Sequence, residues 1–475
     1  MPASTSPLSA RPIDRILEAG IGAVLILAPL PFGAVTVFGR LALETATLFL
    51  VLVWAIAGWT GELRFPPRRV LLLLGGLLLL GSVQTIPLGE GLIRVVSPKS
   101  LTVRESVTPP AEARLAEERL LQIAPSELDS SPTLSVEPGA SASALRTGAA
   151  LCALLLISAH VAATRGLRGM ATALLASAAF QSLYGLTVLA TGFDRIWHVE
   201  KTVFLDAATG TWVNRNHFAN YLAMALPCGA ALWVAGFRRT SKLRGAWLVR
   251  TFSSEGSRNL LRLLALVIGM AGLLVSLSRA GIVLGLTGVA TTLWLGVRFR
   301  PPTTRVLIVG LALAIAAVPL AQLGTDALWG RFETSAEDML SPGSRGTVWR
   351  DTLDVARSFP VVGSGFGTFA SIYPKFRSAE VRPFFSYAHN DPIQFVAEGG
   401  ALGLLLLLAL LASLSRRILA ALRGEHGALG IGVAVGLMAA LLHSLIDFNF
   451  HLPANAAVAV VLAGSMWGLP SKQPT

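Results

Sequence analysis

Ile393-Gln394-Phe395-Val396-Ala397-Glu398-Gly399-Gly400-Ala401-Leu402-Gly403-Leu404-Leu405-Leu406-Leu407-Leu408-Ala409-Leu410-Leu411-Ala412-Ser413-Leu414 is the stretch on which the fold turns. No charged residue stands between Glu398 and Arg416. A helix rises about 1.5 Å per residue and a bilayer core is about 30 Å thick, so a run of roughly 20 apolar residues reads as one membrane crossing. Working outward, comparable runs lie at 16–31, 41–59, 70–86, 145–163, 170–191, 218–237, 260–277, 282–297, 306–321, 428–446 and 454–469. With 393–414 the pattern predicts an all-α, polytopic membrane helical bundle of about 12 transmembrane helices, 1–475 forming a single integral membrane domain.

The composition agrees. Of 475 residues, 53% are hydrophobic and 14% charged, against about one-quarter charged in an average soluble domain, which excludes a soluble multidomain enzyme. The net charge of +12 does not gather in one patch, as a nucleic-acid surface would require; Lys and Arg fall between the apolar runs. They read as topology signals. Starting from the N-terminus, alternate connections are strongly basic and the opposite set is slightly acidic, which places both termini in the cytoplasm. Cys152 and Cys228 both lie inside apolar runs, so neither a disulfide framework nor a cysteine metal site is expected. Arg11 and Arg15 ahead of the first run resemble a signal peptide, but the run continues through Pro29-Leu30-Pro31-Phe32-Gly33 without a small-residue cleavage site, and it is read as the first membrane helix.

Two outer connections are too long for turns. Residues 322–392 are expected to form a large, partly helical loop on the outer side before helix 10, and aromatics such as Trp349, Phe359, Phe369, Tyr373 and Phe385 give it the texture of packed structure. Residues 87–144 are expected to form an outer insertion. Its Glu/Arg-rich stretch 111–123 suggests a short interfacial helix, and its Pro/Ser-rich segment 125–143 a loosely ordered linker.

Polar groups at outer helix ends carry the chemical information, because a charge near lipid is costly without a partner or a task. Four clusters stand out: Asn214-Arg215-Asn216-His217; Ser278-Arg279-Ala280-Gly281; His389 through Gly400; and His443-Ser444-Leu445-Ile446-Asp447-Phe448-Asn449-Phe450-His451. In the third, Asp391 suits a helix N-cap with Pro392 following. Gln394 and Glu398 are four apart and share a face below Asp391, with His389 above. A lone Arg279 could simply snorkel to the interface, and the fourth cluster could be a hydrogen-bonded helix turn.

These motifs, with Arg345 to Arg350, Pro360-Val361-Val362-Gly363-Ser364-Gly365-Phe366-Gly367 and Asp447-Phe448-Asn449 in the same order, resemble the bacterial O-antigen ligase and O-antigen polymerase family. The likeness covers most of the chain from about Asn214 onward. It implies glycosyl transfer on the periplasmic side of the bacterial inner membrane, from an undecaprenyl-pyrophosphate-linked glycan to an acceptor hydroxyl. The acceptor is the lipid A core in ligases and another lipid-linked glycan in polymerases; ligase is the preferred reading. Carried onto matching positions, the resemblance makes His389 catalytic and Arg279 and Arg215 diphosphate-binding.

The chemistry asks for such groups. Displacing a glycan from a diphosphate leaves a multiply charged anion, which a metal ion or fixed cations must steady. No Asp-x-Asp pair occurs at an outer end, so no metal and no cofactor are expected, and guanidinium groups, bidentate and always protonated, take that task. The acceptor hydroxyl must lose a proton, and histidine, with its ordinary pKa of about 6.5, can take it at neutral pH. Asn390, Asp391, Gln394, Glu398, Arg345, Arg350, Arg382, Asp447 and His451 are candidates for glycan contact or for supporting these groups; for the three loop arginines a solvated surface is the plainer reading. His217, His443 and His451 show no metal-ligand spacing with His389. The reading from another class is a twelve-helix transporter of polysaccharide or lipid-linked oligosaccharide. Transporters place polar sites near the midplane and often show related halves, whereas these clusters gather at one face.

Overall fold

The computed structural model describes residues 11–107, 119–120, 132–237, 254–298, 310, 341 and 343–470. Among them the chain forms fifteen α-helices: α1 Pro12–Leu27, α2 Val37–Trp59, α3 Arg68–Thr85, α4 Glu90–Val96, α5 Pro98–Val107, α6 Pro138–Arg165, α7 Arg168–Thr191, α8 Arg215–Gly236, α9 Ser254–Val275, α10 Arg279–Val297, α11 Arg345–Ser358, α12 Phe369–Ile372, α13 Asp391–Leu422, α14 Gly427–His443 and α15 Pro453–Gly468. One small antiparallel hairpin, Arg195–Ile196 with Val199–Glu200, precedes α8. Eight helices are long and apolar enough to cross a membrane, and α14 and α15 are shorter apolar helices. This is a multi-pass, all-α membrane protein. Eleven of the twelve expected runs coincide with a helix, and the run at 306–321, apart from residue 310, lies outside the described residues. The first ends earlier than expected. Pro29 and Pro31 stop α1, and Phe32, Gly33 and Ala34 turn the chain with positive φ.

The chain forms two compact units. The first comprises Met1–Arg68, Ala150–Glu333 and Ala412–Thr475. Its centre is α8, in which every residue from His217 to Val234 is buried. A helix enclosed on all sides needs neighbours on all sides, and α7, α9, α10, α14 and α15 supply them. Lipid tails and helix surfaces are equally apolar, so close backbone approach through small residues decides the packing. Gly432 and Gly436 of α14 lie directly on the α8 backbone at Pro227 and Met224, and Gly281 and Gly285 of α10 lie on α8 at Ala219 and Ala223.

The two ends of this unit differ in kind. At one end the Arg64 N–H donates to His160 Nδ1 at 3.0 Å, leaving Nε2 to donate to Asp14 at 3.2 Å. Arg165 pairs with Glu18 at 2.9 Å, Arg298 caps the Leu422 carbonyl, and Arg417 donates to the Trp467 and Leu469 carbonyls. At the other end the Trp197 indole donates to the Leu30 carbonyl at 2.8 Å and the Thr211 hydroxyl to that of Pro29 at 2.7 Å. The alternate connections singled out by their basic charge thus share one end of the unit.

The second unit comprises Arg69–Ala149 and Thr334–Leu411. It has a core of its own. Val355, Phe359 and Ile372 pack with Val103 and Ala397; Phe369 and Tyr373 pack with Val348, Val381 and Ala388. The expected packed loop before helix 10 is present in its described part, from 343 onward. Residues 87–144 depart from the linker expected at 125–143. α4 and α5 occupy 90–107, the 111–123 stretch lies almost wholly outside the described residues, and α6 already begins at Pro138. Leu134 and Ser135 are buried, and Ser100 donates to the Leu134 carbonyl while Val136 N–H donates to that of Ser364. A Ser-rich segment reads as polar and loose, but its hydroxyls here satisfy backbone groups inside the unit.

Close packing of glycine on α8 has a measurable consequence. A methyl at Gly436 would overlap the Met224 carbonyl, so Gly436→Leu is expected to cost about 1–3 kcal/mol and to lower the melting temperature of the detergent-solubilised protein. Gly75→Leu, with open space around it, should leave that temperature unchanged.

Candidate active site

In the first unit, α8 and α10 start side by side, since Gly281 in the first turn of α10 lies against Ala219 in the second turn of α8. Each opens on an arginine, Arg215 and Arg279, half-buried, and neither has an acidic residue in its first turn. A helix N-terminus carries roughly half a positive charge, so an arginine placed there opposes the dipole by about 0.3–1 kcal/mol. Two such helices together form a concentration of fixed positive charge. Arg68 and Arg168 also open helices, but they belong to the basic connections. The Arg215 guanidinium lies over the Phe204 ring, 5.0 Å from its centroid, a cation–π contact that helps to hold it in place. Ser276–Ser278 makes the tight link before Arg279, with Leu277 at φ 55°.

The fourth cluster closes on the first. Asn216 donates to Asp447 at 2.9 Å, His217 Nδ1 meets Asn449 Oδ1 at 3.0 Å, and Phe448 stands edge-on to the His217 ring at 4.5 Å. Asn455 donates to the His217 carbonyl and to Asn220. Asp447 and His217 are buried, so the network anchors the start of α8 to the link between α14 and α15. This is the hydrogen-bonded helix turn. Asp447 serves the backbone and Asn216; His451, partly buried, belongs to the same short helical turn.

In the second unit, the long apolar stretch carries a break. Gly400 within α13 has φ 61° and ψ −163°, a region open in practice to glycine alone. The helical ladder is interrupted there, and the loop 359–367 completes it. Ala401 and Leu402 N–H donate to the Pro360 and Val361 carbonyls, while the freed Ala397 and Glu398 carbonyls accept from Ser364 and Gly365 N–H. Gly363, Gly365 and Gly367 all have positive φ; a side chain at Gly363 would strike the Glu398 backbone. The motif from Pro360 to Gly367 is therefore the complement of a broken helix. Gln84 of α3 clamps the junction, donating to the Val362 and Glu398 carbonyls and accepting from Phe366 N–H.

Glu398 itself is 3% exposed. Its carboxylate accepts from Gly367 N–H at 2.8 Å, Phe369 N–H at 3.1 Å and Gln394 at 3.1 Å. Gln394 in turn accepts from Ala388 N–H at 2.9 Å. The polar stripe of the sequence is real. It binds the loop, with Glu398 buried beneath it. The N-cap reading is corrected by one position: Asn390, whose side chain accepts from Ile393 N–H at 3.0 Å, caps α13, and Asp391 is already helical. The carbonyl of Asn390 then starts the ladder by accepting from Gln394.

His389 is half-exposed, directly before this cap, with φ 53°. Its carbonyl accepts from the Trp349 indole at 3.3 Å, and its ring meets Phe385 edge-on at 5.7 Å. Of the loop arginines, Arg345 opens α11 and is half-buried, whereas Arg350 and Arg382 are exposed. Asp351, unnoticed in the sequence, is buried and accepts from Tyr373 and from the Ser378 N–H and hydroxyl. Burial and that carboxylate push the Tyr373 phenol up from its ordinary pKa. The structure thus groups Arg215, Arg279, Asp447 and His451 in one unit and His389, Asn390, Asp391, Gln394, Glu398, Arg345, Arg350 and Arg382 in the other. Among the described residues no group of three or more His, Cys, Asp or Glu could hold a metal ion.

Residues 264–408 match the model of the O-antigen ligase family. That segment belongs to the O-antigen ligase and polymerase family. The O-antigen ligase segment runs from α9 past the Gly400 break and includes Arg279, Arg345, His389 and Glu398; Arg215 and Asp447 lie outside it. No curated protein matches the chain. The match supports a ligase- or polymerase-type function in general.

The break at Gly400 is directly testable. Gly400→Ala is expected to cost about 1–3 kcal/mol and to lower the melting temperature. Gly91→Ala, in a short helix with open space around it, should not.

Proposed function

We propose that the protein is a metal-independent, inverting glycosyltransferase of the bacterial inner membrane, with both termini cytoplasmic. It transfers a glycan from undecaprenyl pyrophosphate to a hydroxyl of the lipid A core at the periplasmic face. The observation that carries the reading is the pair of arginines opening two adjacent helices against their dipoles. Guanidinium groups at two adjacent helix starts, beside N-terminal N–H groups, suit an anion with several oxygens, and a departing lipid diphosphate is such an anion.

In the proposed step the acceptor oxygen attacks the anomeric carbon while the bond from that carbon to the diphosphate oxygen breaks. The hydroxyl proton passes to His389, and undecaprenyl diphosphate leaves with both bonding electrons, held by Arg279 and Arg215 through paired N–H donors. One displacement inverts the anomeric centre, and no covalent enzyme intermediate forms. Asn390 and Arg345 are candidates for glycan contact.

Three measurements test the proposal. His389→Ala should reduce transfer by about 10²- to 10⁴-fold without lowering membrane expression, assayed with purified lipid-linked glycan and acceptor in proteoliposomes. Retained transfer would remove the residue from the mechanism, and movement of unmodified donor across the bilayer would favour a transporter. Arg279→Lys keeps the charge but loses the bidentate fork; a fall in transfer of about 10-fold or more is expected, and an unchanged rate would deny Arg279 the diphosphate. In a deletion strain, unattached long lipid-linked chains should accumulate, whereas accumulation of single repeat units would mean a polymerase.

A further inference from the structure

We propose that Trp349, Gln394 and Glu398 are positioning residues that hold His389 in a strained backbone conformation; the proposal rests on the assignment of His389 as the base. A residue other than glycine at φ 53° is uncommon and costs energy unless its surroundings over-determine it. The surroundings do so here from both sides. Before His389, Ala388 N–H is fixed on Gln394, and Gln394 is fixed on Glu398. At His389 itself, the carbonyl is fixed on the Trp349 indole of α11. After it, Asn390 caps the first turn of α13.

Glu398 is the keystone because its carboxylate also takes Gly367 and Phe369 N–H. The loop that fills the break in α13 and the turn that presents the imidazole thus hang on one buried side chain. A conformation that no local preference supports is held by three separate elements: α11, the 359–369 loop and the first two turns of α13. The ring is half-exposed, in a T-shaped contact with Phe385. Near-attack geometry tolerates little displacement, and a shift of about 1 Å costs on the order of 100-fold in rate. The clamp is therefore a device for aiming the imidazole rather than for binding substrate.

The test uses the full-length protein in proteoliposomes, with kcat and KM for the lipid-linked donor measured per folded molecule. Trp349→Phe keeps the ring and loses the indole N–H, and Gln394→Ala releases Ala388. Each should lower kcat by about 10- to 100-fold with donor KM within about twofold and a near-native melting temperature. The exchange Gln394→Glu with Glu398→Gln re-creates a donor–acceptor pair between the two positions and should recover part of the kcat lost in Glu398→Gln alone. If His389→Ala is inactive while Trp349→Phe and Gln394→Ala keep the native kcat, the clamp is refuted and the base assignment survives. If His389→Ala is active, the base assignment falls and takes the clamp with it. Strain is read separately: His389→Gly should melt higher than His389→Ala, the reverse of the order at ordinary backbone positions, and a lower melting temperature for the glycine variant would contradict it.

Discussion

A membrane helix cannot leave backbone hydrogen bonds unmade, because neither lipid nor a dry protein interior will supply the missing partners. α13 interrupts its ladder at Gly400, and everything in the second unit follows from how that interruption is repaired. The loop from Pro360 to Gly367 lies against the break with its own N–H and C=O groups aligned to the orphaned ones. Glu398 and Gln84 hold it in place by side-chain bonds to the backbone. An anionic carboxylate can be buried only when it is fully engaged, and that requirement turns a local defect into a rigid junction.

Rigidity at this junction reaches His389, the proposed base, through chain connectivity. His389 sits two residues before Asp391, the first residue of α13, and α13 carries the break little more than two turns further on. The same packed body buries Phe359, Phe369 and Tyr373, so α11, the source of Trp349, is fixed to the loop that repairs the helix. In the first unit the counterpart is α8. Enclosed by five helices and tied at its start through Asn216 and His217 to the link after α14, it gives Arg215 a fixed origin, and its close glycine contacts with α10 do the same for Arg279.

How much of this the sequence carried depends on what lipid and protein interiors have in common. Hydropathy located eleven helices among the described residues because crossing length and apolar content are properties of single segments. It could not separate α8, buried all round, from α2, whose outward residues such as Phe38, Leu48 and Phe49 are exposed, because both environments are apolar. The break at Gly399-Gly400 was visible only as two glycines. Recognising it needed the complementary loop, some 35 residues earlier in the chain. The pairing of Asn216 with Asp447 spans more than 200 residues, and no periodicity reports it. The sequence places Glu398 as a carboxylate on a helix face beneath His389; its bonds from Gly367, Phe369 and Gln394, which no spacing reports, make it an anchor. Placing the cap on Asp391 rather than Asn390 is the one-residue ambiguity of two adjacent side chains that can each accept from the first turn.

The central claim is that fixed guanidinium charge and one aimed imidazole act on the same lipid-linked substrate at a single face of the membrane. The most direct measurement is sided labelling. Arg279→Cys and His389→Cys, each in a background with Cys152 and Cys228 replaced, are exposed in spheroplasts to a membrane-impermeant maleimide. Both positions should react from outside without lysis. Reaction of one position from outside and of the other only after lysis would place the two on opposite sides of the bilayer and contradict the account.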